Sequence, residues 1–194
     1  QDMIEILLKN AEKIEKFSIL APKVKNFNYT DELYIEHNKD KNCHKMKFIT
    51  GCALLFNMKI LNKIGYFDEN IFLYYEEHDL YYRCLKFGFA IYLIDDAKLI
   101  HHGSSSINKN YDYEINLTRN WHYCWSKFYY FKKNYGYFYG IKKTIPNFLR
   151  ALRKYLFYKF VGDKKNSSLR MAEMQGLMAS YFLRKSLRRP RIDM

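Results

Sequence analysis

Five carboxylates crowd into twelve residues between Gly65 and Arg83: Asp68, Glu69, Glu76, Glu77 and Asp79. Their neighbours are Tyr66, Phe67, Phe72, Tyr74, Tyr75, Tyr81 and Tyr82, not the Ser, Lys and Gln of a plain solvated face. A carboxyl group beside aromatic walls loses hydration and holds its proton to higher pH, which suits a general base. On a helix starting near Phe72, Glu76, Asp79 and Arg83 fall at i, i+3 and i+7 and share one face. Glu77 then turns to the neighbouring face with Leu80 and Tyr81. Asp79 and Arg83, four residues apart, also suit an ion pair that orients the helix. The blander reading is a charged helix start, where acids complement the dipole. Asp68 and Glu69 could cap that helix.

Two flanking segments sharpen the pattern. Thr50-Gly51-Cys52-Ala53-Leu54-Leu55 precedes the acidic run, and Ala97-Lys98-Leu99-Ile100-His101-His102-Gly103-Ser104-Ser105-Ser106 follows it. The ordered set resembles the family 2 glycosyltransferases, above all their rhamnosyltransferase-like branch. That family reads Gly-Ala/Cys, then Gly-x-Phe-Asp-Glu, then a Glu-Asp pair with Asp-Leu-x-x-Arg behind it, then Ala-x-x-x-His with Gly and Ser after it. Arg119-Asn120-Trp121 and Trp125-Ser126-Lys127 are similar to the stretch that follows there. The likeness runs over residues 1 to 135.

The resemblance implies an inverting transfer of sugar from a nucleotide-diphosphate donor to a cell-surface glycan or lipid-linked acceptor. It implies an incomplete Rossmann-like, GT-A type α/β domain with a mixed sheet and flanking helices, followed by a C-terminal helical extension. Glu77 takes the position of the base, where the family more often carries Asp, and Glu76 that of a positioning neighbour. Gly51, Cys52, Asp79, Arg83, Gly103 and Ser106 fall about the substrates. His101, four after Ala97, falls on the histidine that helps hold Mg2+ or Mn2+ and the diphosphate. On residue type alone, a lone strand histidine is more often structural; the preceding pattern and the Gly-Ser-rich loop turn the reading toward function.

Composition separates two regions, 1–110 and 111–194. The net charge is +13, yet residues 1–106 hold 14 Lys/Arg against 15 Asp/Glu, and residues 107–194 hold 19 against 5. From Arg119 to Gly162 there is no acid. Such asymmetry suggests a neutral catalytic body joined to a segment that faces something anionic. An anionic membrane surface is one candidate partner. The other reading is a helix that packs on the body and shows Lys to water. The basic charge and interleaved aromatics also allow a nucleic-acid-binding protein. Confinement of the charge to one end and the lack of an RNA-binding aromatic signature argue against nucleic acid. A metal-dependent hydrolase using Glu76, Glu77 and His101 lacks any His-x-x-x-His ligand pair.

The four cysteines are scattered without a Cys-x-x-Cys pair, which fits reduced thiols. No signal peptide is visible, and no apolar run reaches the ~18 residues of a membrane span. The expected location is therefore cytoplasmic, peripheral at the inner face of the cell membrane.

Along the chain, apolar spacing predicts a helix over 2–16 and a strand from Phe17 to Val24. Residues 26–47 read as a loop or short hairpin, 48–56 as a strand, and 58–64 as a helix closed by Gly65. The acidic helix spans 72–87. Strands follow at 89–94 and 98–101, and then a Ser/Asn-rich loop. Basic helices are expected from Ile145-Pro146 to Phe160 and from Ser168 to Leu187. A nucleotide-binding α/β unit opens on a strand and turn, which are missing before the first helix. The chain therefore reads as the C-terminal part of a protein longer by roughly a hundred residues.

Overall fold

The structure is a computed structural model that describes residues 2–37, 42–102 and 109–190. It is α/β, with a mixed five-stranded sheet and, among the described residues, six α-helices. The chain divides into two compact units. One comprises Gln1–Phe67 and Glu77–Ser105; the other comprises Asp68–Glu76 and Ser106–Met194.

The first unit holds α1 (Met3–Lys13), β1 (Phe17–Val24), β2 (Tyr34–Glu36), β3 (Cys43–Met46), β4 (Leu55–Phe56), α2 (Met58–Ile64), α3 (Glu76–Lys86, its first residue counted with the second unit) and β5 (Ala90–Leu99). Strand order is β2-β3-β5-β1-β4. Among the described residues, β1 and β5 run parallel and the other pairs are antiparallel. β1 lies between β5 and β4 and is buried along almost its whole length. Side chains alternate across a strand. Ile19, Ala21, Ile91 and Leu93 therefore join Leu61 of α2 and Leu80, Tyr81 and Cys84 of α3 in one core layer. Leu20 and Ile94 face the other way, onto Leu7 of α1. Asp2 caps α1 by accepting from the Ile4 N–H at 3.3 Å. Of the expected apolar stripe on α1, Leu7 is buried while Ile4 and Leu8 are exposed.

The two strands expected at 89–94 and 98–101 are one bulged strand. Pairing slips between Pro22 and Lys23, whose partners on β5 are Ile94 and Lys98. Proline has no N–H for the ladder, so a central strand accepts it at such an irregularity. Asn42 holds the slipped segment: its backbone oxygen accepts from the Asp95 N–H at 2.9 Å and its side-chain Oδ1 from the Asp96 N–H at 2.7 Å. Lys23 Nζ lies 2.9 Å from Asp95 Oδ2. The strand expected over 48–56 shrinks to β4, because Thr50-Gly51-Cys52 turns.

The acidic helix starts at Glu76, not Phe72. Tyr74 and Tyr75 have φ of 63° and 69°, a left-handed conformation that L-residues enter at a cost and that a right-handed helix cannot include. Asp68 consequently caps no helix. Its Oδ1 closes a local turn by accepting from the Asn70 N–H at 2.9 Å.

The second unit packs α4 (Asp112–Tyr135), α5 (Tyr137–Phe160) and α6 (Lys164–Tyr181) against one another. Gly136, at φ 95°, both ends α4 and opens α5. Helix α5 thus begins eight residues before the expected start at Ile145 and carries Pro146 in its interior. Leu117, Trp121, Trp125 and Ala172 form one core cluster, and Cys124, Phe128 and Leu177 another. The segment 68–76 belongs to this unit. Asp68 Oδ2 accepts from Tyr129 Oη at 3.0 Å and Lys133 Nζ at 2.8 Å, and Ser126 Oγ donates to the Leu73 carbonyl. Burial alone would raise the Asp68 carboxyl; the bonds from Lys133 and Asn70 outweigh it and bring it down to about 2. Among the described residues, no helix is long and apolar enough to cross a membrane.

Two substitutions probe these packings. A Cβ on Gly176 would lie 2.2 Å from the Trp121 carbonyl oxygen, so α6 crosses α4 closely there. Gly176→Ala should destabilise the protein by ~1–3 kcal/mol, although alanine's helix propensity alone would add about 1 kcal/mol. A lowered thermal midpoint is the expected readout. Arg83→Met should cost more, ~3–5 kcal/mol, because it strands the buried Asp79 charge. Adding Asp79→Asn to Arg83→Met should recover part of that loss in denaturant melts.

Candidate active site

Four of the residues singled out above converge in the first unit. Gly51, Cys52, Glu77 and His101 line one cleft of about 350 Å3, together with Val24, Asn26, Phe27 and Thr50. The cleft lies where β1 and β5, the parallel pair, reach their C-terminal ends. Open α/β sheets bind ligands at that edge, because loops there diverge and leave a crevice.

Glu77 is the second residue of α3. The positive end of the helix dipole favours its carboxylate. Burial nonetheless pushes the carboxyl above its ordinary range, while a bond to its own backbone N–H works the other way. The carboxylate lies directly against Gly51: a Cβ there would be 2.1 Å from Glu77 Oε1. Gly51 is therefore a contact surface, and any side chain would push the carboxylate aside. Next to it, Thr50 Oγ1 and Cys52 Sγ are 3.0 Å apart. Cys52 is exposed, whereas Cys84 and Cys124 are buried.

His101 stands just past β5, held through its backbone. Its N–H donates to Asn26 Oδ1 at 3.1 Å, and its carbonyl accepts from Asn26 Nδ2 at 2.8 Å. The amide of Asn26 so replaces a neighbouring strand. His102 is also exposed but is not among the lining residues. Nearby, Tyr29 Oη accepts from the Val24 N–H at 3.1 Å and steadies the end of β1.

Val24, Asn26, Phe27 and Thr50 are the lining residues to which the sequence analysis assigned no site role. Asn26 sits two residues beyond a strand end, so the edge rule for parallel strands offered a signal for it. Glu76 opens α3, is half-buried and does not line the cleft. Asp79 has no exposed surface, and its Oδ2 accepts from Arg83 Nε at 2.9 Å. Arg83 Nη1 donates to the carbonyls of Ile64 and Gly65 at 2.8 Å each, and Nη2 to that of Tyr66. This pair fixes α3 to the corner after α2. Gly103 and Ser106 lie outside the described residues. His78 is half-buried against Phe48, and the loss of hydration lowers its imidazole.

The second unit has roomier hollows, of about 680 and 910 Å3. Neither sets a carboxylate beside an imidazole. Among the described residues, no three His, Cys, Asp or Glu side chains converge as a cation site. No protein-family model, curated protein or solved structure matches this chain.

The raised carboxyl gives a stability test independent of activity. Folding favours protonated Glu77, so its contribution is full at low pH and is lost as pH rises through the folded value. Glu77→Gln removes the burial cost of the charged form. The variant should melt above the parent at neutral pH, and the difference should vanish below the ordinary carboxyl range.

Proposed function

We propose that this chain is the acceptor-side part of a family 2 inverting glycosyltransferase. It would move a sugar from a nucleotide-diphosphate donor to a cell-surface glycan or lipid-linked acceptor. The observation that carries the reading is the meeting of Gly51, Cys52, Glu77 and His101 in one cleft. These residues stand in the order and spacing that the family's motifs use, and nothing in local sequence requires them to meet.

In this reading Glu77 accepts the proton of the acceptor hydroxyl as that oxygen attacks the anomeric carbon. The bond from that carbon to the diphosphate breaks, and the leaving group departs with the electron pair on the opposite face. A dehydrated carboxylate is the stronger base for this step. The extra methylene of Glu77, compared with the family's usual Asp, is accommodated by the bare Cα of Gly51. The Asn26 clamp fixes the backbone of His101 at the cleft. Mg2+ or Mn2+ would neutralise charge on the leaving diphosphate. Among the described residues no three such ligands converge; His101 would be the residue to help hold the ion, and no step is routed through it.

In the complete enzyme that this reading supposes, Glu77→Gln should lower turnover about a hundredfold or more, the size of a lost general base. Near-normal turnover would remove Glu77 from the role. His101→Ala should weaken Mn2+-dependent binding of a nucleoside diphosphate, measured by calorimetry, more than His102→Ala does. Equal effects would move the histidine assignment off position 101.

A further inference from the structure

Helix α5 buries one side and leaves an ordered apolar stripe on the other. Gly140, Thr144 and Ala151 are buried, with Ile141 and Phe148 packed against the unit's core. Phe138, Lys142, Ile145, Leu149, Arg153, Leu156 and Phe160 follow at steps of four, three, four, four, three and four. That spacing keeps them on one line along the helix. It is an eleven-residue repeat: Phe138, Leu149 and Phe160 are equivalent, as are Lys142 and Arg153, and Ile145 and Leu156. At ~3.67 residues per turn such a repeat hardly drifts round the axis. All seven side chains are exposed, Phe138 at 86% and Phe160 at 91%.

A helix of 24 residues carries this stripe over about 36 Å. Lys143, Arg150, Lys154 and Lys159 are exposed around it, with Lys143 over the Tyr139 ring at 5.4 Å and Lys159 over the Tyr155 ring at 5.6 Å. No acid lies between Arg119 and Gly162. A second copy meeting this face would bring cations against cations. A water-facing helix has no use for two phenyl rings at near-full exposure. An anionic bilayer satisfies both groups: the apolar side chains enter the acyl boundary, while lysine and arginine stems reach back to the phosphates.

We propose that the outward stripe of α5 docks this chain flat on an anionic lipid bilayer, without crossing it. The inference is independent of the glycosyl-transfer reading, since it uses none of the cleft residues.

The test is co-sedimentation of the full chain with vesicles of phosphatidylcholine alone or of an equimolar mixture with phosphatidylglycerol. The chain should pellet with the mixed vesicles at low salt, release at high salt and ignore pure phosphatidylcholine. Lys142→Glu with Arg153→Glu should weaken partition about thirtyfold or more, because each leaflet-facing cation contributes ~1 kcal/mol. Phe138→Ser, Leu149→Ser and Phe160→Ser together should weaken it about a hundredfold or more. These side chains are exposed, so circular dichroism melts should stay unchanged. Ile4→Ser with Leu8→Ser, which alters exposed apolar residues on α1, should leave partition intact. Failure to pellet with the mixed vesicles at low salt overturns the proposal. So does partition that survives the triple serine change, which would mark a general polyanion surface, with single-stranded RNA as the parallel probe. Concentration-dependent dimerisation abolished by the triple change would assign the stripe to a second copy instead.

Discussion

The buried ion pair of Asp79 and Arg83 is the constraint on which the first unit turns. A carboxylate with no exposed surface is tolerable only when its charge and lone pairs are satisfied. Arg83 does this while spending its other donors on three consecutive carbonyls, those of Ile64, Gly65 and Tyr66. These carbonyls lie at and beyond the end of α2, where helix geometry leaves acceptors unpaired. One guanidinium therefore locks the axis of α3 to the end of α2. With that axis fixed, Leu80, Tyr81 and Cys84 enter the layer under β1 and β5. Glu77, one turn before them, is delivered onto Gly51.

The cleft repeats the same economy. Its polar members are placed by elements fixed elsewhere. Glu77 is positioned by a helix fixed elsewhere, Gly51 by the turn before β4, and His101 by two hydrogen bonds to one asparagine. Such a site is as rigid as the strand ends that carry it. The bulge in β5 matters here, because it sets which residues of β5 stand level with the end of β1. The slip from Ile94 to Lys98 brings Leu99 beside Val24 and so puts His101 beside Asn26.

Much of this was legible in the sequence where local physics decides. β1 was read from Phe17 to Val24 and α2 from Met58 to Ile64, because an apolar run and a glycine stop leave little alternative. The grouping of Gly51, Cys52, Glu77 and His101 was legible only through motif order. Elements set by tertiary context were misread. The start of α3 depends on two left-handed tyrosines, a conformation for which tyrosine carries no signal. The continuity of β5 depends on Asn42, which is distant in sequence. The early start of α5 depends on the glycine joint at 136, which overrides the usual reading of Pro146 as a helix opener.

The interleaving of the two units has a consequence for synthesis. The chain leaves the first unit at Phe67, contributes Asp68–Glu76 to the second, and returns at Glu77. Leu73 and Asp68 find their partners on α4, at Ser126, Tyr129 and Lys133. At ribosomal speeds of ~5–20 residues per second, those partners emerge roughly 3–12 s after residue 76. Once β5 has emerged, α3 has its sheet to pack on, while the nine residues in front of it have no surface to fold against until α4 follows. The nascent first unit is thus tethered at an unfinished corner. A chain stopped by a ribosomal stall or an early stop codon before α4 would carry Phe72, Tyr74 and Tyr75 as an unfolded aromatic loop, open to chaperones and proteases.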